Sequence, residues 1–194
     1  ALGGIGLLQE ALDLVQQLER QELFSAELFL TRASIHAQQR EHKLAIKYFE
    51  KALEYSDPAE HDYIYLDIAI EYERLQQYQD AIDVLHRALK TNKNNEAALY
   101  ELGRCYDALG ATQASIDAYL KFIDEQPYSS TAWYNLGNAY SKIEDFDRAV
   151  WAYDYAILIN EEFGPAHFNL GNAYLSLEKY HKSIEHFEHC MKTA

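Results

Sequence analysis

Hydrophobic and polar positions recur along this chain with a period of 34 residues. Aligning the units that start at Asp62, Glu96, Ser130 and Gly164 puts Tyr65, Leu99, Trp133 and His167 at the fourth place, and Ile68, Leu102, Leu136 and Leu170 at the seventh. The eighth place is always small (Ala69, Gly103, Gly137, Gly171) and the eleventh always Tyr (Tyr72, Tyr106, Tyr140, Tyr174). At 100° per residue these places fall on one face of a helix. A second set, Ala81, Ala114 with Ser115, Ala149 and Ser183, then Leu85, Tyr119, Tyr153 and Phe187, then Ala88, Phe122, Ala156 and Cys190, defines a face on a second helix. The short polar segments LQQY, LGAT, IEDF and LEKY between the two sets suit tight turns, so each unit is expected to be a helical hairpin. The small eighth residue lets the paired helix approach and an aromatic ring fill the seam.

The expected organisation is a tail and single-helix partial repeat over 1–25, followed by repeats at 26–61, 62–95, 96–129, 130–163 and 164–194. The first full repeat has a degenerate first helix, with Arg32 and His36 where Leu and Tyr stand elsewhere, and two extra residues follow it near Asp57. Ala11, Val15 and Leu18 occupy the three core places of the partial repeat. Two further series, Ile46, Ile82, Ile116, Val150 and Ile184, and Leu53, Leu89, Ile123, Ile157 and Met191, should be covered by the first helix of the next unit. Leaving Ile184 and Met191 wet forgoes about 1.5 to 3 kcal/mol each. A continuing chain or another molecule is therefore expected there, including a second copy joined through this end.

The units resemble tetratricopeptide repeats, whose large residue, Leu-Gly, Tyr, Ala, aromatic and Ala follow in the same order. AWYNLGNAYSKIEDFDRAVWAYDYAILIN is similar to the family consensus, although the closing Pro survives only as Pro127, with Pro58 one place late. The resemblance implies an all-α right-handed superhelical solenoid of antiparallel helix pairs, with first helices lining a concave groove that docks a peptide or partner helix. On that reading the groove letters are Tyr100, Glu101 and Arg104, then Tyr134, Asn135 and Asn138, then Phe168, Asn169 and Asn172, with Asp67, Glu73 and Asp107 as an acidic rim. An Asn carboxamide both donates and accepts, which suits it to the backbone of an extended peptide. The glycosyltransferase branch carries an Asn ladder at the sixth place; Asn135 and Asn169 match it, while Asp67 and Glu101 break it. The branch that clamps acidic chaperone tails uses Lys, Arg and Asn at the fifth and ninth places. Here those places hold Leu30 and Ser34, Leu66 and Ile70, and Tyr100 and Arg104.

Charge narrows the partner. The chain has 17 Lys and Arg against 31 Asp and Glu, a formal net charge of -14 spread over both halves. That repels nucleic acid and acidic peptides and favours a protein or peptide that is neutral or basic. No apolar stretch has the length for direct membrane insertion. The 2 cysteines, Cys105 and Cys190, form neither a disulfide framework nor a CxxC. His181, Glu185 and His189 share four-residue spacing, as do His186 and Cys190, but the trio is expected on an outward face; no metal or other cofactor is assigned. No nucleophile elbow, phosphate loop or metalloprotease helix is present, so no catalytic residue is assigned and an enzyme is not expected.

Overall fold

A computed structural model describes the backbone of residues 2–193 and the side chains of residues 7–191. Every regular element among the described residues is helical. The chain divides into two compact units, residues 1–98 and 99–194.

In the first unit, α1 (Leu2–Arg20) precedes the pairs α2 (Ala26–Gln38) with α3 (His42–Tyr55) and α4 (His61–Arg74) with α5 (Tyr78–Thr91). The extra residues near Asp57 form one 3₁₀ turn, Pro58–Glu60, whose Ala59 N–H donates to the Asp57 carboxylate at 2.9 Å. Ser25 starts α2 by accepting from the Leu28 N–H at 3.1 Å, the side-chain cap that a helix N-terminus requires. The seam is filled by Phe29, Ile35, Phe49, Ile64, Ile68 and Leu85, all buried. Of the places expected to be core in α1, Val15 is buried, but Leu18 is 40% exposed, and Leu12 is the buried residue instead. The face that α1 turns toward α2 is therefore rotated from the one read by counting back the period.

In the second unit, α6 (Glu96–Ala108), α7 (Thr112–Glu125), α8 (Ser130–Lys142), α9 (Phe146–Ile159), α10 (Gly164–Ser176) and α11 (Tyr180–Thr193) follow one another. Within it α8 packs on both α7 and α9, and α10 on both α9 and α11. Leu102, Ile116, Leu136, Tyr153 and Leu170 are each 0 to 1% exposed and form its centre. The seams are close. A Cβ placed on Gly137 would lie 2.5 Å from the Tyr153 ring, and on Gly171 2.7 Å from Phe187.

The turns inside the hairpins share one geometry. Arg40, Gln76, Gly110, Glu144 and Glu178 all have φ between 58° and 68°, and the residue after each donates its N–H back to the carbonyl of His36, Tyr72, Tyr106, Tyr140 or Tyr174 at 2.8 to 3.0 Å. That six-to-one bond ends a helix through a left-handed residue and satisfies carbonyls the helix leaves open. It fixes a three-residue reversal and so sets which side chains face each other across the pair.

Candidate functional site

The second unit holds a cavity of about 460 Å³. From first helices it is lined by Tyr100, Arg104 and Asp107 of α6, Asn135, Asn138 and Ser141 of α8, and Asn169, Asn172 and Ser176 of α10. Repetition explains this alignment: residues 34 apart occupy the same face of successive first helices, so Asn135 and Asn138 recur as Asn169 and Asn172.

Hydrogen bonds organise the floor. The Asn169 carboxamide donates to Asn138 Oδ1 at 2.8 Å and to the Tyr134 hydroxyl at 3.2 Å. The Tyr153 hydroxyl donates to the same Asn138 oxygen at 2.8 Å and lies 3.2 Å from Ser141 Oγ. Burial raises the Tyr153 phenol to about 12, the neighbouring Ser141 working weakly against it. Burial also pushes the Tyr119 phenol well above its ordinary value, with the Asp107 charge adding to the effect. Both tyrosines remain neutral donors across the whole physiological range.

Asn135 differs from its neighbours. It is only 7% exposed and borders the cavity, yet its carboxamide makes no hydrogen bond among the described residues. Asn172 is exposed at the mouth.

The expected acidic rim is altered. Arg104 donates to Glu101 at 2.7 Å and the Lys142 ammonium is paired with Asp107, so both carboxylates are matched by a cation from the same wall. Asp67 and Glu73 are half-buried residues of α4 in the first unit. Burial, reinforced by Glu71, raises the Asp67 carboxyl above the usual carboxylate range.

Among the remaining expected site residues, Tyr134 packs between Phe163 (centroids 5.1 Å) and Tyr153 (6.0 Å) and reaches the floor through its hydroxyl. Phe168 is 53% exposed beside Phe187 and does not line the cavity. Sequence reasoning assigned Tyr119 and Tyr153 to the core alone, whereas both also line the cavity, together with Ser115 and Phe146. The signal was present: a Tyr at a core place must send its hydroxyl to a polar partner when buried.

The spaced histidines of α11 do not share an outward face. His181 and Glu185 are exposed, but His189 turns inward and stacks on His167 at 3.8 Å between centroids. Among the described residues no three His, Cys, Asp or Glu side chains come together to hold a metal ion. Cys105 is buried and Cys190 half-buried, its thiol donating to the Gly164 carbonyl at 3.4 Å. No helix among the described residues is long and apolar enough to cross a membrane.

Stacked helical hairpins presenting a polar, side-chain-lined wall define a helical-repeat interaction scaffold. Three family models, each described as tetratricopeptide repeat, match residues 66–130, 118–150, and 26–57 with 164–194. The chain belongs to the tetratricopeptide repeat family, which places it among protein-interaction scaffolds. No curated protein matches it in sequence. Among solved structures, a crystal structure of the MamA protein aligns with a TM-score of 0.67 at 23% identity, over 87% of this chain and 91% of that one. A second MamA crystal structure gives 0.66 at 24% identity over 83% and 93%. MamA from Desulfovibrio magneticus RS-1, from residue 41 to its end, gives 0.67 at 20% over 87% and 94%. At these identities the likeness is one of fold.

Proposed function

We propose that the second unit binds an extended segment of a partner protein, holding its main chain in the cavity between α6, α8 and α10. Asn135 carries the reading: a carboxamide that is buried, opens on the cavity and lacks an internal partner. Its amide is open to the cavity, and a peptide amide meets both its donor and its acceptor. Asn172 supplies a second contact at the mouth. Asn169 and the Tyr153 hydroxyl hold Asn138 in place, and Tyr100 offers a flat apolar surface. Because Glu101 and Asp107 are already paired, recognition rests on main-chain amides, and the partner segment is neutral or weakly basic.

Selection from a displayed library of short unstructured peptides tests this. Asn135→Ala with Asn172→Ala is expected to weaken the selected peptides about tenfold or more, the loss of one to two hydrogen bonds, while leaving the far-ultraviolet dichroism unchanged. Undiminished capture by that double variant refutes the assignment.

A second reading has its own observation. Ile184 and Met191 are 55% and 74% exposed, whereas Ile82, Ile116 and Ile123, at the equivalent places of earlier second helices, are buried. Self-association through this face is the alternative. Concentration-dependent sedimentation that Ile184→Lys with Met191→Lys abolishes supports it, and sedimentation indifferent to both changes removes it.

A further inference from the structure

The side of α10 opposite Asn169 meets α11 through three histidines. His167 is 5% exposed. Its Nε2 lies 2.9 Å from the Glu161 carbonyl oxygen, which can only accept, so Nε2 carries the proton. Its Nδ1 lies 3.1 Å from Nδ1 of His186. With Nε2 protonated, the neutral His167 ring accepts at Nδ1 and His186 donates. The His189 ring stacks on His167 with centroids 3.8 Å apart, the His186 centroid is 5.3 Å from it, and Tyr174 stacks on His186 at 5.6 Å.

The two facing Nδ1 atoms share one proton and no second, because a second would set two N–H groups against each other, so a proton on His167 Nδ1 requires His186 to hold its own at Nε2. A proton on His186 enters at Nε2, in a half-buried ring beside two further imidazoles. Burial first, then His167, His189 and Lys182, hold His186 below the usual imidazole value, with Glu185 opposing. Beside the charged groups Lys182 and Glu185 of α11 and Asp154 of α9, two titratable groups on this seam stay neutral: Tyr174 of α10 is raised by burial, then by Asp154 and Glu185, and the Cys190 thiol of α11 is raised by burial.

We propose that His167, His186 and His189 form an acid-sensitive clasp, which holds α11 against α10 while its imidazoles are neutral and releases it when they are protonated. The opened hairpin exposes the rings to water and takes up protons that the closed hairpin refuses. Closure is therefore intact above the free imidazole value, about 6.5, and weakens as pH falls through it. The opening equilibrium rises by up to about tenfold per pH unit for each extra proton bound. The clasp stands whether or not the cavity binds a peptide. If it does, α10 brings Asn169 and Asn172 under the same control.

The test is hydrogen exchange on the full chain at about pH 7.5 and about pH 5.5, one unit either side of the imidazole value, corrected for the intrinsic rate. Opening of α10 and α11 is expected to increase at least about tenfold in acid, with α8 unchanged. His167→Phe with His186→Phe, aromatic at both places, is expected to remove that difference. Acid opening that persists undiminished in the variant overturns the proposal, as does native exchange indifferent to pH. Should the variant not fold, imidazole titration of the native chain by NMR decides. His186 is expected to titrate below the ordinary imidazole value of about 6.5, and titration of His186 at or above that value overturns the clasp.

Discussion

Gly137→Ala is expected to weaken the second unit even though it places a better helix former in α8. The new Cβ would lie 2.5 Å from Tyr153 Cε1, 2.6 Å from Cδ1 and 2.9 Å from Cζ, distances that force a shift. Tyr153 cannot give way easily. It is 1% exposed, and its hydroxyl is held by Asn138 at 2.8 Å and Ser141 at 3.2 Å. Replacing Gly by Ala inside a helix gains about 1 kcal/mol. Overpacking costs about 1 to 3 kcal/mol, and each hydroxyl bond disrupted as the ring moves costs about 0.5 to 1.5 kcal/mol more. With one of the two hydroxyl bonds lost, the balance is a loss of about 0.5 to 3.5 kcal/mol. In a chain of this size that lowers the thermal midpoint by about 2 to 4 °C per kcal/mol, read by circular dichroism and checked by urea unfolding. Gly164→Ala serves as the control, since nothing lies within 4 Å of its Cβ position, and its effect should stay within about 0.5 kcal/mol. A Gly137→Ala protein melting at or above the native chain refutes the argument that the aromatic ring fills the glycine's missing side chain.

The turns yield a change of opposite sign. Glu144 sits at φ 59°, where an L residue is strained, and Glu144→Gly is expected to raise the urea midpoint by up to about 1 kcal/mol of stability. No gain, or a loss, means the surrounding turn already stabilises that conformation in Glu. Alkali tests the cavity floor. Burial raises the Tyr153 phenol to about 12 in the folded chain, against about 10 when unfolded, so its stabilising contribution is complete below about pH 10 and is lost as pH rises toward the folded value. The Tyr153 phenolate absorbance, taken as the difference between the native chain and Tyr153→Phe, should therefore appear in step with unfolding, and its appearance at about pH 10 with the helices intact refutes the burial argument.

The all-α fold was legible because the period repeats a pattern strong enough to outweigh local exceptions. Gly103, Gly137 and Gly171 gave the seams in advance, since a glycine inside a helix is unfavourable unless something fills the space. Where the repeat degenerates, legibility ends: counting back to α1 placed Leu18 in the core, but a lone helix packs by its own apolar residues and buries Leu12. At the site, spacing named the asparagines that line the cavity. It could not distinguish Asn135, which has no internal partner, from Asn138 and Asn169, which bond each other, because that depends on the third dimension. Nor could it show that Glu101 and Asp107 carry their own cations, since Lys142 lies 35 residues from Asp107 and meets it only through the packing of successive first helices. His189 escaped because helical periodicity alone does not reveal that a buried imidazole at the fourth place attracts another ring.

Tyr119 and Tyr153 line the cavity from a place where Phe49, Leu85 and Phe187 carry no hydroxyl, and the Tyr153 hydroxyl bonds Asn138 of the cavity wall. One oxygen atom per repeat thus determines whether the oily interior of a hairpin is wired to its wet wall. Occupancy of that wall would be felt in the hairpin's resistance to heat, and drift from Tyr to Phe would silence the conversation while leaving the architecture standing.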